Sequence, residues 1–181
     1  MPHKRLISKL NSYNINEQVV RWIEIFLTDR KQRVKVNKSM SNWESVSSGI
    51  PQGSVLGPLL FIIYINDLME VCDSGSDLYV YADDAKLFKH IQTSLDSMIL
   101  QSDINKFEKW SDRWLLKLNI DKCSIISYGR KTECHTYQLY KKSLKGINSI
   151  SDLGVRFDSK LNFKSHIQEK VNKAYSVFGY Y

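Results

Sequence analysis

The chain has 181 residues, of which 43% are hydrophobic, enough to bury one sizeable core but too few for two large domains. Its 26 lysine and arginine residues outnumber 19 acidic residues, and the formal charge of +7 favours an acidic partner such as nucleic acid. The longest apolar run, residues 55–65, is shorter than the roughly 20 residues that cross a bilayer, so we expect no membrane span.

The cysteines and the N-terminus of the sequence both give information on the cellular compartment of the protein. Three cysteines, an odd number without paired spacing, favour reduced structural thiols in an intracellular setting: Cys72, Cys123 and Cys134. The charged N-terminus is followed by an amphipathic pattern and not by an apolar signal core, which argues against secretion.

The first part of the chain predicts two helices and a hairpin. Apolar residues recur at helical spacing in residues 6–10 and again over 16–27, where Asn14 or Asn16 is suited to cap the second helix. The apolar face of this second helix is predicted to consist of Val19, Val20, Ile23, Phe26 and Leu27. Residues 32–37 and 43–47 alternate in polarity and predict a β-hairpin joined by residues 38–42.

The middle of the chain predicts a loop, a helix and a second hairpin. Glycine and proline punctuate residues 49–58, and an apolar helix is expected to follow as far as about residue 71. Residues 78–81 and 85–88 are rich in β-forming side chains, so the adjacent Asp83 and Asp84 are predicted to lie at the tip of a hairpin.

The last part predicts a long helix, three strands and a final helix. The long helix is expected from Ser94 or Leu95 to about residue 117, with an apolar side and a basic stripe consisting of Lys106, Lys109, Arg113 and Lys117. That stripe is either a solvated face or a surface that meets phosphate. Strands are predicted over 124–128, 136–140 and 152–157, and a helix over 163–178 with these residues facing inward: Ile167, Val171, Ala174 and Phe178. Helices mixed with short antiparallel strands indicate an α+β fold.

The aspartate pair is the strongest chemical signal. Two adjacent carboxylates supply oxygen ligands of the kind that Mg²⁺ prefers, with water and substrate phosphate completing its octahedron. The alternative is an ordinary turn, because aspartate favours turns and solvent.

The loop over residues 49–58 is the second signal. Its glycines let the backbone approach a ligand closely, Gln52 offers both a donor and an acceptor, and Ser54 is suited to cap the next helix. Such a loop can lie against a nucleotide or a base pair. Alternatively, glycine and proline simply end one element and begin the next.

Together these motifs resemble reverse transcriptases of the non-LTR, LINE-like retrotransposon type. Residues 49–61, followed by Tyr64-Ile65-Asn66-Asp67-Leu68, resemble the second palm motif of that family, and Tyr81-Ala82-Asp83-Asp84 resembles its catalytic hairpin. Two weaker matches complete the resemblance. Leu118-Asn119 with Lys122 and Cys123 is similar to the fourth motif, and Leu153-Gly154-Val155 with Leu161, Phe163 and His166-Ile167 is similar to the passage from the primer-gripping hairpin to the thumb.

The resemblance implies a polymerase palm with an antiparallel sheet and packed helices, part of the fingers and the start of the thumb. The implied divisions are a fingers and palm connection (residues 1–48), a palm core (49–150) and a primer-grip-like strand with the first thumb helix (151–181). The implied activity is RNA-directed DNA synthesis with Mg²⁺ or Mn²⁺ on an RNA template, a DNA primer and deoxynucleoside triphosphates, in the nucleus or the cytoplasm.

The resemblance also implies residue roles. Asp83 is expected to be a direct metal ligand and Asp84 an auxiliary carboxylate, with Tyr81 and Ala82 beside the primer end. Gln52 and Gly53 are expected against the template or the nascent pair, within a binding loop that includes Gly49, Pro51 and Ser54. Lys122 either approaches the triphosphate or is an exposed loop lysine. The primer-grip-like residues are Leu153, Gly154 and Val155.

One departure from the family pattern concerns the metal ligands. The family has a further aspartate in a first palm motif, just before a segment like residues 2–10, and no acidic residue precedes Glu17 in this chain. We therefore expect a fragment truncated at both ends that does not extend a primer alone, since two-metal chemistry needs more ligands than one turn supplies. The alternative is a non-catalytic, basic nucleic-acid-binding remnant of a decayed element.

Overall fold

The computed structural model describes residues 1–72, 75–129 and 135–179. Cys134 therefore lies outside the described residues. Five α-helices are found in the described parts of the chain: α1 (His3–Ser12), α2 (Glu17–Leu27), α3 (Leu56–Ile65), α4 (Ser94–Trp114) and α5 (Lys164–Phe178). Two 3₁₀ helices cover Asn66–Glu70 and Ile120–Lys122.

The strands of the described residues are short and paired two by two. They are β1 (Lys31–Gln32), β2 (Lys35–Val36), β3 (Ser39–Met40), β4 (Glu44–Ser45), β5 (Asp77–Tyr81), β6 (Asp84–Phe88), β7 (Ser124–Ile126), β8 (Gln138–Leu139), β9 (Lys142–Ser143), β10 (Lys145–Ile147), β11 (Ser149–Asp152) and β12 (Val155–Asp158). The antiparallel pairs are β1–β4, β2–β3, β5–β6, β8–β9 and β11–β12, whereas β7 and β10 run parallel. Helices mixed with mostly antiparallel pairs confirm the α+β class.

The chain divides into two compact units, Met1–Leu118 and Asn119–Tyr181. The division implied by the family resemblance, at residues 48 and 150, stays a prediction. None of the helices in the described ranges is long and apolar enough to cross a membrane.

The first unit holds one hydrophobic core between its helices and the β5–β6 hairpin. Leu6 and Leu10 of α1, Ile23 of α2 and Leu60 of α3 are buried in it, as their helical spacing predicts. The remaining core side chains are Val20, Leu27, Tyr64, Ile65, Leu68, Leu78 and Trp110. Burial of this apolar area is the main stabilising contribution to the unit.

The ends of α2 and α4 follow local chemistry. The side chain of Asn16 accepts a hydrogen bond from the backbone N–H of Gln18, which confirms Asn16 as the cap of α2. The apolar face predicted for α2 is wrong at Val19, which is exposed. Helix α4 ends three residues earlier than predicted because Leu115 adopts a left-handed φ of 54°, which interrupts the helical backbone.

The first predicted hairpin exists, but its connection is shorter than expected. Residues 38–42 were predicted as the loop, and the structure places β3 within them, paired with β2. The chain reverses at Asn37, whose φ of 53° suits an asparagine in a tight turn.

The second unit corrects three predictions. The expected strand over residues 152–157 is a hairpin, because Leu153 and Gly154 have φ values of 46° and 81° and form the turn between β11 and β12. The strands expected over 124–128 and 136–140 are shorter, and β7 pairs in parallel with β10. Helix α5 forms as predicted, but the face predicted to point inward is exposed, since α5 has no buried residue.

Candidate active site

The β5–β6 hairpin has one packed face and one open face. Leu78 is buried in the core, and Val80 and Leu87 pack against that core from the same face. The opposite face carries Tyr79 and Tyr81, both about 60% exposed. This alternation follows from the period of two along a strand, and it fixes which side chains the hairpin presents to solvent.

The two aspartates lie at the tip of this hairpin, as predicted. Tyr81 pairs with Asp84, so Ala82 and Asp83 form the two-residue connection. Both carboxylates are exposed. Ala82 has a φ of 50°, a conformation that costs a non-glycine residue on the order of 1 kcal/mol and is found more often than average at functional sites.

The carboxylates fit a divalent metal in kind but not in number. Mg²⁺ commonly takes one or two protein carboxylates and completes its octahedron with water and substrate phosphate, which matches Asp83 and Asp84. Within the ranges that the structure describes, no group of three or more His, Cys, Asp or Glu side chains is placed to hold a metal ion. Two carboxylates alone would not complete a two-metal centre, which needs further ligands.

The loop over residues 49–54 is held by its own hydrogen bonds. The hydroxyl of Ser54 donates to the carbonyl of Pro51 over 2.8 Å and accepts from the N–H of Gly57 over 3.0 Å. Ser54 thus satisfies a backbone donor in the first turn of α3, although the N-cap position itself is Val55 and not Ser54. A Cβ at Gly57 would lie only 3.1 Å from the Ser54 hydroxyl and 3.2 Å from Ile50, so this position needs glycine to keep the loop close to the helix.

The start of the chain anchors the other end of this loop. The N–H of Gly49 donates to the carbonyl of Met1 over 2.8 Å, and the imidazole of His3 lies 3.0 Å from the carbonyl of Gly49. Gly49 itself has a φ of 90°. Between these anchors Gln52 and Gly53 are exposed, so the part of the loop predicted to meet a ligand is open to one.

The loop and the hairpin share one core. Ile50, at the start of the loop, and Val80, in the strand before the aspartates, both pack against the buried cluster of the first unit. The structure thereby anchors the two motifs on the same set of helices, although they are separated by about thirty residues of sequence.

An ion pair between the buried Lys9 and the partly exposed Asp67, which the sequence did not predict, links these helices. Lys9 of α1 is 1% exposed, and its ammonium donates to the carboxylate of Asp67 over 2.6 Å and to the carbonyl of Tyr64. The indole N–H of Trp110 donates to the same Asp67 oxygen over 2.9 Å. The ammonium also lies 3.9 Å from the ring centroid of Trp114, a cation–π distance.

Burial shifts the pKa of two of these groups. Desolvation lowers the pKa of Lys9, and the hydrogen bond from its ammonium to Asp67 opposes that shift. Burial also raises the pKa of Tyr64 to about 12, and its hydroxyl donates to the carbonyl of Trp114. One sequence signal was available: Lys9 stands between Leu6 and Leu10 on the apolar face of α1, where a lysine requires a partner.

The remaining predicted site residues belong to the second unit. Lys122 is exposed at the end of the short 3₁₀ helix, so its side chain matches the exposed-lysine alternative as well as a role with a ligand. Leu153 and Gly154 form the tip of the β11–β12 hairpin and Val155 begins β12.

Comparison with known proteins covers both motifs of the first unit. A family model described as reverse transcriptase (RNA-dependent DNA polymerase) matches residues 1–168. The chain is 28% identical over 153 residues to the RNA-directed DNA polymerase from mobile element jockey of Drosophila melanogaster, which covers 80% of the chain and 17% of the relative.

Two further relatives have similar names. The jockey polymerase of Drosophila funebris is 26% identical over 173 residues, which are 91% of the chain and 19% of that protein. The probable RNA-directed DNA polymerase from transposon X-element of Drosophila melanogaster is 28% identical over 153 residues, which are 81% of the chain and 17% of that protein. The chain thus spans less than a fifth of the length of these curated relatives.

Proposed function

Since the chain belongs to the reverse transcriptase family, a family of nucleotidyltransferases that use divalent metal ions, a nucleic-acid template and nucleotides, we propose that it supplies the catalytic hairpin of an RNA-directed DNA polymerase. Its substrates are an RNA template, a DNA primer and deoxynucleoside triphosphates. The observation that carries the proposal is the β5–β6 hairpin, which presents Asp83 and Asp84 at an exposed tip above a packed face.

In this proposal Asp83 binds Mg²⁺ directly and Asp84 is the auxiliary carboxylate. The ion, when bound, activates the primer hydroxyl and stabilises the charge that develops on the phosphate. The core packing of Leu78 sets the position of the carboxylates, because the two-residue turn leaves them little freedom relative to the strands. Tyr81 and Ala82, on either side of the turn, lie beside the primer end.

The loop contributes the nucleotide and template contacts in this proposal. Gly49, Pro51 and Ser54 hold its shape through the hydrogen bonds described above, and Gln52 and Gly53 present its exposed part to the template or the nascent base pair. A loop whose ends are fixed loses little conformational entropy when it binds, which favours this role.

Two elements of the second unit complete the proposed assignments. Lys122 is proposed to meet the triphosphate, for which an exposed ammonium is suited. The β11–β12 turn, Leu153-Gly154 with Val155, is proposed as the primer-grip-like element.

A second candidate function is nucleic-acid binding without catalysis. The charge of +7 favours it, and it needs neither aspartate. The two candidates differ in whether the hairpin binds metal, which a direct measurement decides.

The test is Mn²⁺ binding to the 181-residue chain, followed by paramagnetic broadening of its amide resonances. Broadening is expected first at residues 81–85 in the presence of an RNA–DNA primer–template and a deoxynucleoside triphosphate. It should be lost in Asp83→Asn and weakened in Asp84→Asn. Asp77→Asn is the matched control, because Asp77 is an exposed aspartate at the other end of the same hairpin. Broadening that persists in Asp83→Asn would overturn the metal assignment and leave the binding function.

Primer extension by the same samples gives a second readout. We expect no incorporation by the chain alone, because two carboxylates do not complete a two-metal site. Template-directed incorporation that disappears in Asp83→Asn would overturn that expectation and support the polymerase role directly.

A further inference from the structure

The hairpin formed by β1 to β4 concentrates positive charge. Between residues 30 and 46 the chain has five basic residues and one acidic residue, a net charge of +4 out of +7 for the whole chain. The basic residues are Arg30, Lys31, Arg33, Lys35 and Lys38. Residues 30–45 are all exposed, so this segment, the basic hairpin, contributes no buried side chain to the core.

The charges of the basic hairpin are sorted between its two faces. Lys31 pairs with Ser45, and the guanidinium of Arg33 lies 4.5 Å from the ring centroid of Trp43. Gln32 pairs with Glu44, so Glu44 lies on the face opposite Lys31, because side chains alternate along a strand. Arg33 and Trp43, which contact each other, come directly after β1 and directly before β4 in the hairpin.

The basic hairpin also presents an exposed aromatic ring. Trp43 is 58% exposed although Arg33 is stacked on it, and Lys35, two residues beyond Arg33, pairs with the exposed Met40. Within the described residues Lys31, Arg33 and Lys35 make no ion pair. Unpaired cations around an accessible indole are the combination that binds unpaired nucleic acid, through phosphate attraction and base stacking.

We infer that the basic hairpin is a binding platform for single-stranded nucleic acid, with Trp43 as the stacking surface and with Lys31, Arg33 and Lys35 as the phosphate contacts. The inference extends the proposed function, on which it rests for its biological meaning: the unpaired strand is the template. The binding itself does not depend on the aspartates.

The pattern favours a nucleic acid over an acidic protein segment. A flat, exposed indole beside a guanidinium plane matches the face of any base, so the binding is expected to be largely independent of sequence. An acidic polypeptide would bind the cationic side chains of the basic hairpin but would offer no base to stack on the ring of Trp43. The two ligands therefore differ in their dependence on Trp43.

The test is fluorescence anisotropy of labelled oligouridylate of about 12 nucleotides, a length within the usual site sizes, titrated with the full chain. Trp43→Ala should weaken binding by about 5- to 150-fold, the range expected for one lost stacking contact. Trp43→Phe should restore most of it. Trp22→Ala is the matched control, because Trp22 is 55% exposed on α2 and lies outside the hairpin.

The charges are tested with two variants of equal net charge. Lys31→Ala/Arg33→Ala/Lys35→Ala should weaken binding and reduce the slope of log K against log salt by about 2, since each lost contact with a single strand removes about 0.7. Lys164→Ala/Lys170→Ala/Lys173→Ala removes three charges from exposed positions of α5 and should change the slope far less.

Three results would overturn the inference: equal losses in the two triple variants, unchanged binding by Trp43→Ala, or equally tight binding of poly-glutamate that is insensitive to Trp43→Ala. Asp83→Asn separates this inference from the proposed function, because it should abolish Mn²⁺ broadening at the β5–β6 hairpin and leave oligouridylate binding unchanged. If the broadening is absent in the unchanged chain but the Trp43 dependence holds, the platform stands and the polymerase assignment fails.

Discussion

The two units of the chain differ in how many of their apolar side chains they bury. Residues 1–118 enclose a hydrophobic core and bury the ammonium of Lys9, whereas α5 in residues 119–181 exposes Ile167, Val171, Tyr175 and Phe178. Helical periodicity therefore predicts which side chains form the apolar face of a helix, but it does not predict whether another element packs against that face. In the second unit Tyr137 and Leu139 are the buried hydrophobic residues among those described.

Asp67→Ala should have the largest effect on stability. It leaves the Lys9 ammonium buried without its carboxylate, which costs about 3 to 5 kcal/mol of the free energy of unfolding. Urea unfolding followed by tryptophan fluorescence measures it, with exposed Asp77→Ala as the control. The double change Lys9→Met/Asp67→Leu should regain most of the loss. A loss below about 1 kcal/mol in Asp67→Ala would contradict the role of Asp67 in stabilising the buried Lys9 ammonium.

A matched pair of isoleucines tests the comparison between the units directly. Ile23 on α2 is 5% exposed and Ile167 on α5 is 58% exposed. Ile23→Ala should cost about 2 to 4 kcal/mol through lost burial and a residual cavity, whereas Ile167→Ala should stay within about 0.5 kcal/mol. Denaturant unfolding of both variants is the measurement. Equal losses would show that α5 is covered in solution.

Two glycines give a smaller contrast. Gly57→Ala brings a methyl group within 3.2 Å of Ile50 and the Ser54 hydroxyl, which is held by two hydrogen bonds, so we expect a loss of about 1 kcal/mol. Gly146→Ala, in β10, meets no atom within 4 Å and should cause no loss. Thermal unfolding compares them. Stabilisation by Gly57→Ala would mean that the loop over residues 49–54 moves easily, against its proposed rigidity.

The smallest effect is a pH dependence at the start of α4. A hydrogen bond from the Thr93 hydroxyl, with backbone donors of Thr93 and Gln92, lowers the pKa of Asp96. The ionised Asp96 carboxylate stabilises the folded chain at pH values above the pKa of aspartate in the unfolded chain, which is about 3.9. This stabilisation is lost as the pH falls through the lower pKa of Asp96 in the folded chain. Unfolding of the chain and of Asp96→Asn should therefore differ at pH 6 and converge in strong acid. A difference independent of pH would rule out this carboxylate as its source.

The sequence predicted the secondary-structure elements more accurately than the tertiary contacts that these elements make. Asp83 and Asp84 were placed at a hairpin tip because the strands on either side have clear β-forming residues, and Asn16 was identified as a cap from local chemistry alone. The loop with Ser54 was also predicted from its punctuation. Such features depend on neighbours in sequence, which is why one chain suffices to find them.

The parts that were missed depend on distant residues. The Lys9–Asp67 pair joins residues 58 positions apart, and no local pattern specifies that a lysine on an apolar face finds this particular carboxylate. The parallel pairing of β7 with β10 is likewise a long-range choice. For Leu153 and Gly154 a local turn signal existed, but the β-forming residues on both sides led to the prediction of a single strand.

The Lys9–Asp67 pair also constrains the order in which the chain is able to fold. During synthesis at roughly 5 to 20 residues per second, Lys9 precedes its carboxylate by about 3 to 12 s. Over that interval α1 has a cation on the face that it must bury, so its docking waits for residues 64–67, and the aromatic enclosure waits longer for Trp114. We therefore expect the loop over residues 49–54 and the β5–β6 hairpin to become anchored on this core late in the synthesis of the chain.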